Sequence, residues 1–239
     1  MSASAVVLGA RNLGGAIATH LQTAGWSVAA VARSDDSLAG VRSEGALGLN
    51  ADAADPGALR AALDEAARRH DGIDLLVNAV TAARPTGGPW GGGPIADASP
   101  DAFEGWAAAV GRQAFTFLSV GASVLRAQGR GGTLVQVTGG SARRALPGRG
   151  LWAAGAAATR ALVQAAAQEL REDGIHVALL VVDATIASPK TAERTRDVPA
   201  DALADQDEIA RAVAYLAGQR PTGFTHELVV TPAGERWVP

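Results

Sequence analysis

Short apolar runs alternate with longer amphipathic stretches along this chain. The runs fall at 5–8, 27–31, 46–49, 75–77, 133–137, 176–182 and 227–230. Between them, apolar residues at three- and four-residue spacing predict helices over 14–24, 36–43, 56–69, 101–127, 151–172 and 207–217. A strand that is apolar at every position must be covered on both faces, and strands separated by helices run parallel. The pattern predicts an α/β fold: a doubly wound parallel sheet with helices on both sides, three layers in all, in one domain over 1–239. Asp55-Pro56 marks a helix start, an N-cap residue followed by proline in the first turn. Asp173-Gly174 is expected to close the helix that begins near 151.

Two segments break the alternation. One is 82–100, with the core Arg84-Pro85-Thr86-Gly87-Gly88-Pro89-Trp90-Gly91-Gly92-Gly93-Pro94; the other is 183–204. Each follows the carboxyl end of a predicted strand, where open α/β sheets bind ligands. Both read as loops over a site. For the first, a surface insertion without function is the competing reading.

Composition narrows the partners. Hydrophobic residues make up 48% and charged residues 19%, the net charge is -3, and no basic block stands out. A sizeable core is expected and a nucleic-acid partner is not. There is no cysteine, which excludes disulfide and thiol chemistry. The first apolar run is too short for a signal peptide, and no run approaches the about 20 apolar residues that span a bilayer. A soluble cytoplasmic protein with no membrane partner is the expectation.

The first strand leads through Gly9-Ala10-Arg11-Asn12-Leu13-Gly14-Gly15 into a helix. Glycines there let the backbone approach a pyrophosphate at a helix N-terminus, where free N–H groups favour anions. The second strand ends Val31-Ala32-Arg33-Ser34. An acidic residue at that place would accept from a ribose 2′-OH, whereas an arginine pairs with a 2′-phosphate. Arg33 and Ser34 therefore point to NADP(H); an ordinary exposed arginine is the alternative.

These residues, with Asn50-Ala51-Asp52-Ala53, Val77-Asn78-Ala79-Val80 and the motifs below, resemble the short-chain dehydrogenase/reductase family over nearly the whole chain. The resemblance implies a Rossmann-type sheet of about seven strands and a cofactor site. That site would be built from Gly9, Arg11, Asn12, Leu13, Gly14, Arg33, Ser34, Asp52, Ala53, Asn78 and Ala79. Asp52 would border the adenine. Asn78 would either belong to a degraded Asn-Asn-Ala-Gly or simply tie its strand to a neighbour. One glycine of the family pattern is absent in either register: the usual Thr-Gly falls on Val7-Leu8, or Leu13 takes a glycine place. Ser188-Pro189, Phe224-Thr225-His226-Glu227-Leu228 and Gly234-Glu235-Arg236-Trp237 are similar to a divergent branch of the family.

The family's catalytic positions depart further. Its Asn falls on Gly111, its Ser on Gly139, its Tyr on Trp152 and its Lys on Ala156. The single tyrosine, Tyr215, and single lysine, Lys190, lie elsewhere and cannot form the family's Tyr-x-x-x-Lys pair. Carbonyl reduction needs a proton donor beside the developing alkoxide, and losing a general acid costs roughly 10²–10⁴ in rate. An indole N–H donates a hydrogen bond but does not titrate usefully.

Replacement groups are Thr138 and Ser141, which flank Gly139, together with Trp152 and Asp183. Asp183 follows the sixth strand, where partial burial would suit a carboxylate to acid/base work; a turn carboxylate accepting backbone N–H groups is the equal alternative. Arg143-Arg144 would hold an anionic substrate or form a solvated loop. His226 reads as a surface or core-lining residue. Trp90, Trp106 and Trp152 would line an aromatic pocket, while Trp26 and Trp237 read as packing residues.

Three functions follow. The first is a non-redox enzyme on a small-molecule substrate (cyclase, dehydratase or isomerase). The second is an NADPH-dependent reductase using Asp183, Thr138 or water as proton source. The third is a non-catalytic dinucleotide-binding or partner subunit. The helices at 101–127 and 151–172 match those that pair in family dimers and tetramers, which implies a homodimer or homotetramer.

Overall fold

The computed structural model describes residues 2–80 and 82–235; Trp237 lies outside them. The strands are β1 (Ser4–Leu8), β2 (Ser27–Ala32), β3 (Leu47–Asn50), β4 (Leu75–Asn78), β5 (Gly132–Gly139), β6 (Ile175–Val182), β7 (Thr185–Ile186), β8 (Leu203–Ala204) and β9 (Glu227–Val230). The α-helices are α1 (Leu13–Thr23), α2 (Asp35–Ser43), α3 (Pro56–His70), α4 (Pro100–Phe103), α5 (Ala109–Gln128), α6 (Gly150–Glu169) and α7 (Gln206–Ala217). Seven strands form one parallel sheet in the order β3-β2-β1-β4-β5-β6-β9. The chain turns back on its strand order between β1 and β4, which is the switch point of a doubly wound sheet.

The side-chain period of a strand explains the continuous apolar runs. Val6 and Leu8 of β1 face Leu59 and Leu63 of α3, Phe117 and Leu125 of α5 and Val163 of α6. Ala5 and Val7 face Ile17 and Leu21 of α1, Leu38 of α2 and Ile209 and Val213 of α7. Both faces are covered, so both sets must be apolar. Each large side chain buried in this way contributes about 1.5–3 kcal/mol. Trp26 packs half-buried against the second layer, as expected.

Local signals are honoured at α3, where Asp55 accepts from the Ala58 N–H at 2.7 Å and Pro56 opens the helix. They fail at the end of α6, which stops at Glu169 rather than at Asp173-Gly174. The chain must turn sharply to enter β6. The Ile175 N–H donates back to the Leu170 carbonyl at 3.2 Å, and Gly174 sits at φ 70° to complete that turn.

A π-helical turn, Glu104–Ala108, joins α4 to α5. By length and composition the continuous helix Pro100–Gln128 is apolar enough to cross a membrane. Here its Phe117, Leu118, Val124 and Leu125 are buried against the sheet. The short β7–β8 bridge closes the base of the 183–204 loop.

Candidate functional site

At the carboxyl end of β1 the backbone is held by close approach. Gly9 has φ 103°, and its N–H donates to the Val31 carbonyl at 2.9 Å. A Cβ on Gly14 would lie 2.5 Å from the Gly9 carbonyl oxygen, so the first turn of α1 rests directly on the Gly9 peptide. Asn12, the N-cap of α1, takes φ 49°. Asn is among the non-glycine residues most tolerant of positive φ. This resolves the count of glycines: Gly9 and Gly14 occupy tight places, and Asn12 supplies a positive φ. Leu13 is buried in the core beneath the turn, and no acidic residue sits in the first turn of α1. The helix N-terminus is therefore electrostatically open to an anion.

The other expected cofactor residues line up along the same edge. Arg33 is exposed at the end of β2 and has no ion-pair partner among the described residues; Arg11 is likewise exposed and unpaired. Ser34 caps α2, its hydroxyl accepting from the Ser37 N–H at 3.4 Å. The Asp52 carboxylate accepts from the Ala54 N–H at 2.9 Å, and Ala53 is buried. The Ala79 N–H donates to the Leu8 carbonyl at 3.1 Å. Asn78 is fully buried: its Nδ2 donates to Gln136 of β5 at 2.8 Å, and its Oδ1 accepts from Gln113 of α5 at 3.2 Å. This amide is used to tie β4 to β5 and α5.

The second group of candidate residues lies at the carboxyl ends of β5 and β6. Asp183 follows β6, its N–H donating to the Val230 carbonyl at 3.0 Å. Its side chain is only 6% exposed. Oδ1 accepts from Arg144 Nη2 at 3.1 Å, and Oδ2 is buried with no donor among the described residues. A buried carboxylate oxygen without a donor is costly, so this group is a strained choice for a merely structural turn. Its seat depends on Gly140, where a Cβ would fall 1.8 Å from Asp183 Oδ1. At neighbouring Gly139 a Cβ would meet nothing nearer than the Val182 carbonyl oxygen at 3.8 Å. Thr138 and Ser141 flank these glycines, half-buried, one on β5 and one on the short turn after it.

The expected aromatic group is assembled. Trp90, Trp106 and Trp152 pack pairwise with ring centroids 5.6, 5.7 and 6.0 Å apart. Gly155 makes this possible: a Cβ there would lie 2.8 Å from the Ala107 carbonyl oxygen, so α6 sits tight against the π-helical turn. Sequence reading did not identify the cations around these rings. The Arg84 guanidinium lies 5.1 Å from the Trp152 ring centroid and 5.6 Å from that of Trp90. Arg149 lies 4.8 Å from Trp90. Burial first, and then the positive charge of Arg194, hold Arg84 below its ordinary pKa. The available signal was arginines in loops after strand ends, away from acidic partners.

The contacts decide among the remaining expectations. Arg143 pairs with Glu227 at 3.3 Å in an exposed loop, while Arg144 reaches the buried Asp183. His226 Nδ1 lies 3.0 Å from the Val177 carbonyl, beside β6 and before β9, in a core-lining place. The 82–100 segment is folded onto α6. It also walls a concavity of about 520 Å³ lined by Pro85, Pro89, Pro94, Asp97, Asp101 and Trp106.

A doubly wound parallel sheet with a glycine turn beside its switch point defines the Rossmann-type α/β class. A family model described as enoyl-(acyl carrier protein) reductase matches residues 7–234, and the chain belongs to this family, within the short-chain dehydrogenase/reductases. No curated protein matches the chain. Among solved structures it is similar to acetoin dehydrogenase from Enterobacter cloacae, with 22% identity, 100% of this chain and 99% of that one covered, and a TM-score of 0.79. It is similar to an alcohol dehydrogenase from Thermococcus sibiricus complexed with 5-hydroxy-NADP, with 22% identity, 100% of both chains covered and a TM-score of 0.78. A third is an actinorhodin polyketide ketoreductase variant with NADPH, with 22% identity, 99% of this chain and 98% of that one covered, and a TM-score of 0.78. Gly111 packs near Ala158 on α6, and Ala156 is buried.

Proposed function

We propose that this protein is a small-molecule enzyme that keeps the family fold but not its Ser-Tyr-Lys mechanism, and that Asp183 is its acid/base group. The reaction class is a non-redox step of the isomerase, dehydratase or cyclase type. The observation that carries this is the Asp183 carboxylate, buried at the sheet's carboxyl end, with Oδ1 tied to Arg144 and Oδ2 without a donor. Arg144 fixes the carboxylate's orientation, leaving Oδ2 to accept a proton from a substrate carbon or oxygen and return it elsewhere. Proton transfer of this kind needs no co-reactant. Trp152 would donate a hydrogen bond, and Thr138 or Ser141 would orient the substrate.

The test is incubation with a pool of small carbonyl compounds and acids in D2O, followed by mass spectrometry. Deuterium uptake or loss of water without NADPH consumption supports the reading, provided that Asp183→Asn abolishes it. Turnover that survives in Asp183→Asn removes the carboxylate from the chemistry.

A second reading, an NADPH-dependent reductase drawing its proton from Asp183, Thr138 or water, is favoured by the other end of the site. The Gly9–Gly14 approach is a cradle that a Cβ would fill, and Arg33 is unpaired. These residues fit NADP(H): the α1 N-terminus would hold the pyrophosphate and Arg33 the 2′-phosphate. When bound, the cofactor would supply a hydride. Calorimetry with NADPH, NADH and Arg33→Ala tests this. The absence of binding at millimolar NADPH would leave only the non-redox reading or a non-catalytic role.

We also infer a homodimer or homotetramer formed through α5 and α6. Phe115 is 56% exposed on α5, and Ala154, Ala157 and Ala158 are exposed on α6. A monomer in light scattering would remove this inference.

A further inference from the structure

Strand β9 stands at the edge of the main sheet and is bonded to β6. Its residues, Glu227-Leu228-Val229-Val230, alternate between the two faces of the sheet. Leu228 and Val230 pack into the layer of α1, α2 and α7, and Val229 into the layer of α3, α5 and α6. Glu227 shares the face of Val229, so a carboxylate stands at the border of a layer that is otherwise apolar. A charge in such a place is costly unless it is paired. The Glu227 side chain is 22% exposed, and two arginines meet it. Arg160 of α6 donates twice, from Nε to Oε2 at 2.7 Å and from Nη2 to Oε1 at 3.1 Å. Arg143, just after the Gly140–Ala142 turn, donates from Nη1 to Oε1 at 3.3 Å.

Three parts of the site converge on this strand. Asp183 hangs from its far end, its N–H donating to the Val230 carbonyl at 3.0 Å. Trp152 lies on α6, about two turns before Arg160. Arg144, which orients the Asp183 carboxylate at 3.1 Å, directly follows Arg143. The two arginines are also joined through the backbone. The N–H groups of Arg143 and Arg144 both donate to the Gly140 carbonyl, at 2.9 and 3.1 Å. Gly140 is the residue on which the Asp183 carboxylate is seated. A shift of Arg143 therefore carries Arg144 and the seat of Asp183 with it. A lone, partly exposed ion pair holds little, but a two-pronged arginine–carboxylate contact within a network fixes geometry.

We propose that Glu227 is a positioning residue for the acid/base group. Fixed by Arg160, it holds Arg143, and through the shared Gly140 carbonyl this sets where Arg144 meets Asp183. The proposal deepens the enzymatic reading above and rests on it. An ion pair that served only to anchor an edge strand would need Arg160 alone. The Arg143 contact has a different consequence, since it ties the strand to the turn beside Asp183.

The experiment is NMR of the full chain without substrate, reading the Arg144 Nε–H signal and the Asp183 carboxyl carbon at neutral pH. Arg144→Gln and Asp183→Asn assign the two signals by their loss. Arg143→Gln leaves Glu227 on Arg160, so the edge strand keeps its anchor. It should still move both signals and speed hydrogen exchange at Arg144 Nε about threefold, the size expected for a partly exposed charge pair. Arg143→Lys keeps a single charged contact and should restore both signals. Glu227→Gln should move them in the same direction as Arg143→Gln. Arg60→Gln, which breaks the pair with Asp64 on α3, should leave them in place. Signals that stay at their wild-type positions in Arg143→Gln would overturn the proposal. So would an Arg143→Lys variant that behaves like Arg143→Gln. An effect of Glu227→Gln without one of Arg143→Gln would overturn it too, since the carboxylate would then act on the strand alone. The enzymatic reading fails separately, through turnover that survives in Asp183→Asn, a result that leaves the NMR outcome as it stands.

Discussion

The two halves of the carboxyl edge of this sheet have been treated differently. At the β1 end the family geometry is kept by backbone contact: Gly14 lies so close to the Gly9 peptide that no side chain fits. At the β5–β6 end the reactive positions are held by side chains, which can be exchanged without moving the sheet. There Gly139 ends β5, and Trp152 and Ala156 lie on α6. The space around Gly139 would admit a side chain, since a Cβ there meets nothing nearer than 3.8 Å. Gly140, in contrast, is constrained by the Asp183 carboxylate.

The sharpest way to break this comparison is to add one side chain at each end. Gly14→Val would drive carbons into the Gly9 carbonyl and should cost on the order of 3 kcal/mol, read from the urea midpoint. Gly139→Ser should change stability by less than about 1 kcal/mol. Gly140→Ala should resemble Gly14→Val, because it evicts the Asp183 carboxylate. If Gly139→Ser proves as damaging as Gly14→Val, the catalytic end is as rigidly built as the cradle and the contrast fails.

The next effect concerns the ion pair. Arg144→Gln leaves the Asp183 carboxylate buried without its cation, which should cost about 2 kcal/mol, given that Arg144 is 26% exposed. Adding Asp183→Asn should recover much of that loss, because the neutral amide no longer needs a counter-charge. A double variant no more stable than Arg144→Gln alone would show that the pair is not the source of the strain.

Much of this was legible in the sequence, for physical reasons. Seven apolar runs became the seven strands of the main sheet, most clearly where burial on both faces favours apolar residues, as in β1 and β6. Asp55-Pro56 started its helix because that signal is local. The π-helical turn at Glu104–Ala108 was not legible, since its hydrophobic spacing is that of an α-helix within so few residues. Nor was the β7–β8 bridge, because two residues carry no period. At the site, residue types pointed to Asp183 and to the tryptophans, but not to their partners. Arg144 reaches Asp183 across 39 residues, and Arg84 stacks on Trp152 from another loop. Such pairings exist only once the strands are side by side.

At the cradle, Arg33→Ala should weaken NADPH about tenfold by calorimetry and leave NADH nearly unchanged, the loss expected for one charge-assisted contact to a 2′-phosphate. Equal weakening of both cofactors would assign Arg33 to the shared part of the molecule and remove the argument for NADP(H).

The smallest effect isolates the opposite edge of the sheet and shows whether pH acts on the site or on the frame. His176 is buried, stacked on Phe224 at 4.2 Å between centroids, with Nε2 2.9 Å from the Thr225 carbonyl. Burial first, and then the charge of His226, lower its pKa from the ordinary 6.5, against hydrogen bonds to the backbone that raise it. The unfolded chain therefore binds the proton more readily than the folded one. This stabilisation is complete above pH 6.5 and declines as pH falls below that value. His176→Gln, which does not titrate, should flatten that decline in urea midpoints between pH 7 and pH 5. Since His176 lies near the amino-terminal end of β6, away from Asp183, the substitution should leave the pH profile of any turnover in place. A turnover profile that moves with His176→Gln would mean that the frame, not the buried carboxylate, sets the apparent pH dependence of the site.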